Sequence, residues 1–118
     1  MTDDKKAYGR GDIILVSNNP KPQNNREQKG QRPWLVVSDQ SLNENGPFVW
    51  AIPFTSTSSN YPLVFDWTSN VPGTRTKGSL LCDQLTTLDV EHRPSRFLEH
   101  VTVPEQVYFL IQVVLGLK

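Results

Sequence analysis

Cysteine is almost missing from this chain: Cys82 is the only one in 118 residues. A lone cysteine forms no internal disulfide, which excludes the stapled scaffolds of small secreted proteins and leaves the fold to rest on burial. Histidine is nearly as scarce, with His92 and His100 alone. No apolar run reaches membrane length, and the first residues do not resemble a signal peptide, so a reduced, soluble, cytoplasmic protein is expected, with no membrane among its partners. Excess charge is also lacking. Lys and Arg number 12 and Asp and Glu number 12, so the molecule as a whole has no general attraction for nucleic acid. Any such function has to come from local clustering, and there is one cluster: Lys21, Arg26, Lys29 and Arg32 stand against Glu27.

The length fits one domain over 1–118 that buries its own core, with residues 1–7 a frayed terminus. Gly9-Arg10-Gly11-Asp12 precedes Ile13-Ile14-Leu15-Val16, a β-branched run that reads as a first strand buried on both faces. A long polar loop follows from Asn18 to Gln31; at this length it reads as a functional lid. Pro33 then opens a second strand, Trp34 to Val37, and holds Arg32 at its mouth. Ser38-Asp39-Gln40-Ser41 caps a short helical turn that Asn45-Gly46-Pro47 ends. Phe48 to Phe54 is a third strand whose Pro53 implies a bulge or an edge. The hydroxyl-rich Thr55-Ser56-Thr57-Ser58-Ser59 leads through Asn60-Tyr61-Pro62 to a strand Leu63 to Trp67. A loop with Arg75 and Lys77 comes next, then one kinked or two short strands between Ser79 and Asp89, and an alternating strand from Arg96 to Val101. From Pro104 the period becomes helical, with Val107, Leu110, Ile111, Val114 and Leu115 on one face. The expected fold is mainly β with α: a small, curved β-barrel of six or seven strands with a C-terminal amphipathic helix.

Gly11-Asp12-Ile13-Ile14-Leu15-Val16, Glu27-Gln28 followed by Gly30 and Arg32-Pro33, Ile52-Pro53-Phe54-Thr55-Ser56, and Gly78 to Asp83-Gln84 with Thr87-Leu88-Asp89 together resemble the MazF/PemK toxin family. The likeness runs from about Tyr8 to the terminal helix. It implies an SH3-like or CcdB-like barrel that works as a homodimer and cuts single-stranded RNA without a metal or other cofactor. It also implies a cognate antitoxin whose disordered acidic tail lies in the RNA groove.

Metal-free cleavage has the RNA 2′-hydroxyl attack its neighbouring phosphate. A proton must be taken, a pentacovalent transition state stabilised and the leaving oxygen protonated. Arg32 suits the second task, because a guanidinium stays charged and offers a fixed fork of donors to phosphoryl oxygens. Thr55 suits a supporting one, since its hydroxyl donates to the same oxygens but is too weak an acid to be the general base. The resemblance places the catalytic pair on these two residues. Some PemK-type relatives carry an arginine two residues before the aspartate matching Asp83; here that position is Leu81, which makes the chain more MazF-like there and removes the argument for Asp83 as a general base. Arg26 stands where some relatives have a histidine.

Each assignment has a structural rival. Arg32 as a loop arginine would pair with Asp12 or Glu27, and Thr55 would be an ordinary strand end. Glu27 and Gln28 would hold the shape of the loop, and Asp83 would either anchor a turn or touch RNA. Ser56 and Asn60 are placed with Arg26, Glu27, Gln28 and Asp83 as supporting or RNA-binding residues. Trp34, Phe54, Tyr61 and Trp67 are candidates for base stacking, with Asn18, Asn19, Gln28 and Asn60 for base edges. His92 and His100 read as surface residues that do not converge, and Cys82 as buried and inert. The alternative functions are a CcdB-like gyrase poison on the same fold, which binds a protein and cuts nothing, or an inactive binding barrel.

Overall fold

The computed structural model of the chain describes residues 7–17, 31–57 and 62–117. In chain order the elements are β1 (Asp12–Ser17), β2 (Gln31–Val36), α1 (Gln40–Asn43), β3 (Phe48–Thr55), β4 (Val64–Asp66), α2 (Trp67–Asn70), β5 (Ser79–Leu81), a 3-10 turn (Cys82–Gln84), β6 (Thr86–Asp89), β7 (Ser95–His100) and α3 (Glu105–Val114). The strands form one antiparallel sheet in the order β4-β5-β3-β2-β1-β7, and β6 adds to β3. Among the described residues the sheet is open, with β4 and β7 at the two ends of this order.

Both faces of the central strands are buried, as the unbroken apolar run of β1 requires. Ile13, Leu35, Ile52 and Phe54 pack with Phe65, Trp67, Leu80, Cys82 and the inner side of α3. On the opposite face Ile14, Val16, Trp34, Val36, Val49, Ala51 and Leu88 form a second cluster. Trp67 is fully buried, its ring edge-on to Phe54 at 5.2 Å and to Phe65 at 6.0 Å. That arrangement suits aromatic quadrupoles and adds to the area buried.

Local chemistry explains the boundaries. Asp39 caps α1 by accepting from the Ser41 amide at 3.0 Å. The stretch read as a strand to Trp67 instead stops at Asp66, which accepts from the Ser69 amide and turns the chain into α2; an aspartate at this point satisfies a helix-terminal donor that a strand would leave to a neighbour. Pro33 is not the first residue of β2, which begins at Gln31 and pairs with β1 as far as Ser17. The ladder from β2 to β3, by contrast, runs only from Val36 to Trp34, so the proline marks the end of that one ladder. Pro53 sits in a central strand, yet without conflict: β3 pairs with β6 up to Ala51 and with β5 from Phe54, and the proline falls in the gap where no donor is required on that side. Val107 and Leu110 of α3 are buried, whereas Leu115, expected on the same face, is exposed.

Candidate functional site

Arg32 lies on β2 opposite Val16 of β1. The pairing of β2 with β3 matches Val36 with Ala51, Leu35 with Ile52 and Trp34 with Pro53 and ends there; Arg32 stands two residues beyond Trp34 on β2, and Thr55 two residues beyond Pro53 on β3. Residues directly opposite in an antiparallel pair project from one face, so both fall on the face of Ile14, Val16 and Trp34. Ser17 and Gln31 are paired, which brings the two ends of the intervening basic segment together. Arg93 secures that point by donating from Nε and Nη2 to the Ser17 carbonyl at 3.0 and 2.7 Å. Among the described residues no carboxylate pairs with Arg32. Asp12, its expected structural partner, instead accepts from the Gly9 amide and meets His100 Nδ1 at 2.8 Å.

Thr55 ends β3 and is half-buried. Its Oγ1 accepts from the Thr57 amide at 3.2 Å, which leaves its own proton free to donate. Across the sheet it pairs with Ser79, and Gly78 fits against it because glycine has no Cβ. At φ +118 the backbone is in a region only glycine enters freely, and a Cβ would overlap the Thr55 carbonyl oxygen. Gly78 also ties this corner to α2: its amide donates to Thr68 Oγ1 at 2.7 Å and its carbonyl accepts from the Trp67 and Thr68 amides.

The loop leading into Gly78 is stapled at further points. Trp67 Nε1 donates to Thr74 Oγ1 at 3.0 Å. The Glu99 carboxylate accepts from the Arg75 and Thr76 amides and from Thr76 Oγ1, the last at 2.6 Å. Burial pushes the Glu99 carboxyl upward, but these hydrogen bonds and the Arg75 charge outweigh it, so it lies below the ordinary glutamate value. Sequence reasoning did not find this anchor, because Glu99 and Thr76 are remote in the chain and only the fold joins them.

The other candidates separate. Ser56 is exposed beside Gly78. Asp83 is exposed in the 3-10 turn, beyond the end of β5 and away from the Thr55–Ser79 pair. Leu81 is buried and pairs with Val64, so an apolar side chain suits its place. The histidines do not converge: His92 Nδ1 meets Asp89 at 2.8 Å and His100 meets Asp12. Cys82 is buried, and desolvation, followed by the Asp83 charge, pushes its thiol up to about 12, which leaves it unreactive. Arg26, Glu27, Gln28 and Asn60, with Asn18, Asn19 and Tyr61, lie outside the described residues, as does the lid reading of their loop. Three stacking candidates are corrected: Trp34, Phe54 and Trp67 are core residues, 8%, 2% and 0% exposed. With Phe65, these three rings fill the interior of the two clusters. Among the described residues the exposed aromatics are Phe48, Trp50, Phe97, Tyr108 and Phe109.

Residues 9–115 match the model of the PemK-like, MazF-like toxins of type II toxin-antitoxin systems. The chain is 33% identical over 105 residues to Endoribonuclease PemK of Escherichia coli, covering 87% of this chain and 75% of that protein. Its fold superposes on MazF from Deinococcus radiodurans with a TM-score of 0.67 at 28% identity, covering 95% and 96% of the two chains. It also superposes on a mycobacterial endoribonuclease solved with its cognate antitoxin, with a TM-score of 0.71 at 23% identity and coverage of 95% and 98%. The chain belongs to the PemK-like, MazF-like toxin family of type II toxin-antitoxin systems.

Proposed function

We propose that the chain is an endoribonuclease of the cytoplasm, one domain over its whole length, that cuts single-stranded RNA at a restricted sequence. The 2′-hydroxyl attacks the adjacent phosphorus, the bond from phosphorus to the 5′ oxygen breaks, and the products are a 2′,3′-cyclic phosphate and a 5′-hydroxyl end. The observation that carries this reading is that Arg32 and Thr55 stand at the neighbouring ends of β2 and β3, each two residues beyond the Trp34–Pro53 pair, with no carboxylate among the described residues quenching the arginine's charge. The guanidinium neutralises the phosphoryl oxygens as negative charge builds on them, and the Thr55 hydroxyl adds a donor beside it. Asp83 lies in the 3-10 turn after β5, outside the pairing of β5 with β3; with Arg26, Glu27, Gln28, Ser56 and Asn60 it is assigned to RNA contact.

The partner surfaces follow. α3 turns Tyr108, Phe109 and Val113 outward, and Leu115 and Leu117 continue the exposed apolar surface; a second copy of the chain covers it in a homodimer. The anion-binding surface that receives RNA also receives the acidic segment of an antitoxin. The gyrase-binding alternative finds no support, since the end of α3 carries apolar rather than polar recognition groups.

The test is incubation with a long single-stranded RNA in EDTA and mapping of the new 5′ ends. Cuts at a restricted sequence with 5′-hydroxyl ends are expected, and Arg32→Ala is expected to slow them by roughly 10²–10³. RNA left intact by the wild type, with Arg32→Ala still arresting growth as well as the wild type, would overturn the reading.

A further inference from the structure

Among the described residues, one buried side-chain polar atom has no hydrogen-bond partner, the indole Nε1 of Trp34. Native interiors rarely leave a donor in this state, because it has given up water and gained nothing in return. Elsewhere the fold serves such groups. Trp67 Nε1 donates to Thr74 Oγ1 at 3.0 Å, and the buried Ser38, Asn43 and Thr76 side chains all have partners. Trp34 is 8% exposed and belongs to the cluster of Ile14, Val16, Val36 and Ala51, an apolar setting that offers its N–H nothing. Its place in the fold indicates what the donor awaits. Trp34 and Pro53 are the last pair that joins β2 to β3, and beyond it Arg32 and Thr55 stand on the two strand ends. Alternation along β2 puts Trp34 on the face of Arg32 and the intervening Pro33 on the other. The indole thus lies at the root of the two strand ends that carry the catalytic candidates.

We infer that Trp34 Nε1 donates to a carbonyl oxygen of a base beside the cut and thereby selects that base. The inference rests on the proposed ribonuclease reading and deepens it. An indole N–H only donates, so its partner is an acceptor. Among apolar neighbours a charged phosphoryl oxygen costs far more to bury than a neutral carbonyl, and the phosphate already has Arg32. Guanine, cytosine and uracil carry a carbonyl oxygen, and adenine does not. The donor is covered in the free chain, so the bond forms only as the strand is seated. The ring itself stays in the core and does not stack on the base.

The experiment places benzothienylalanine at position 34, which keeps the shape of the two rings and puts sulfur where the N–H stands. RNAs carry the mapped cut with each flanking base exchanged in turn for adenine. In the wild type one exchange is expected to lower kcat/KM by about tenfold, the worth of a neutral hydrogen bond whose donor is otherwise left unpaired. The benzothienylalanine protein is expected to lose that preference with its urea midpoint not lowered. A second readout is the indole N–H resonance of Trp34 in a proton–nitrogen correlation spectrum, identified by its loss in the same protein. An RNA blocked by a 2′-deoxy sugar at the cut is expected to move it downfield, and its adenine-exchanged counterpart to leave it in place. A mapped cut flanked by adenine on both sides would overturn the inference. So would a base preference that survives loss of the N–H, or a resonance that RNA does not move. If the wild type cuts no RNA, the ribonuclease reading itself fails, and uridine and adenosine oligomers take the place of the blocked RNA. A downfield move with the first and not the second then upholds the contact, and any other response removes it.

Discussion

Gly78 determines where Thr55 sits, although it carries no functional group. The carbonyl of Thr55 occupies the space a Cβ would need, and the positive φ adds a conformational cost for any other residue. Gly78→Ala is expected to lose about 1–3 kcal/mol of stability, read as a lower urea midpoint. At a temperature where the variant is still folded, cleavage should also fall, because the strand end that presents Thr55 must shift. Thr55→Val, in contrast, keeps the shape and removes only the hydroxyl. It is expected to slow cleavage by about 10² with the urea midpoint nearly unchanged. Equal stability losses in the two variants would show that Thr55 serves the fold and not the reaction.

Among the elements, the loop into Gly78 owes its order to β7. A glutamate accepting charge-assisted bonds from two amides and a hydroxyl is stabilised in its ionised form. Its carboxyl titrates below the ordinary glutamate value in the folded chain and near 4.3 when unfolded. The folded state then binds fewer protons than the unfolded one as acid is added, so the Glu99 contribution is complete above about pH 4.3 and is lost as pH falls through the depressed value. Glu99→Gln is expected to be less stable than the wild type at pH 7, and the two urea midpoints should converge in acid. A gap that stays constant down to pH 3 would mean that the side chain acts by packing alone.

The whole molecule is electrically neutral but locally polarised, which is how a protein without bulk attraction for RNA is able to hold it at one place. The same contrast holds for its apolar surface. Two clusters are sealed inside, yet Phe109 and Leu115 remain 47% and 55% exposed on and after α3. A two-fold contact that covers them accounts for their chemistry. Sedimentation at micromolar concentration should show a dimer, and Phe109→Asp with Leu115→Asp should give a folded monomer. A wild type that sediments only as monomer would remove the homodimer from the proposed function.

Much of this was legible without coordinates, for reasons of local chemistry. An unbroken apolar run, Ile13 to Val16, announced β1 as buried on both sides. Asp39 announced α1, the change of period after Pro104 announced α3, and the Arg-Pro step and the Thr55-Ser56 pair announced the family and the candidate site. These signals reside in neighbouring residues, where backbone geometry and periodicity act. Only the tertiary structure decided what depends on residues far apart: that β2 pairs with β3 from Val36 to Trp34, two residues short of Arg32 and Thr55, that Asp12 is taken by His100, and that Glu99 holds the loop of Arg75. It also decided that Trp34, Phe54 and Trp67 are interior, because which aromatics a small sheet must bury depends on how all its strands pair, and no local stretch of sequence encodes that choice.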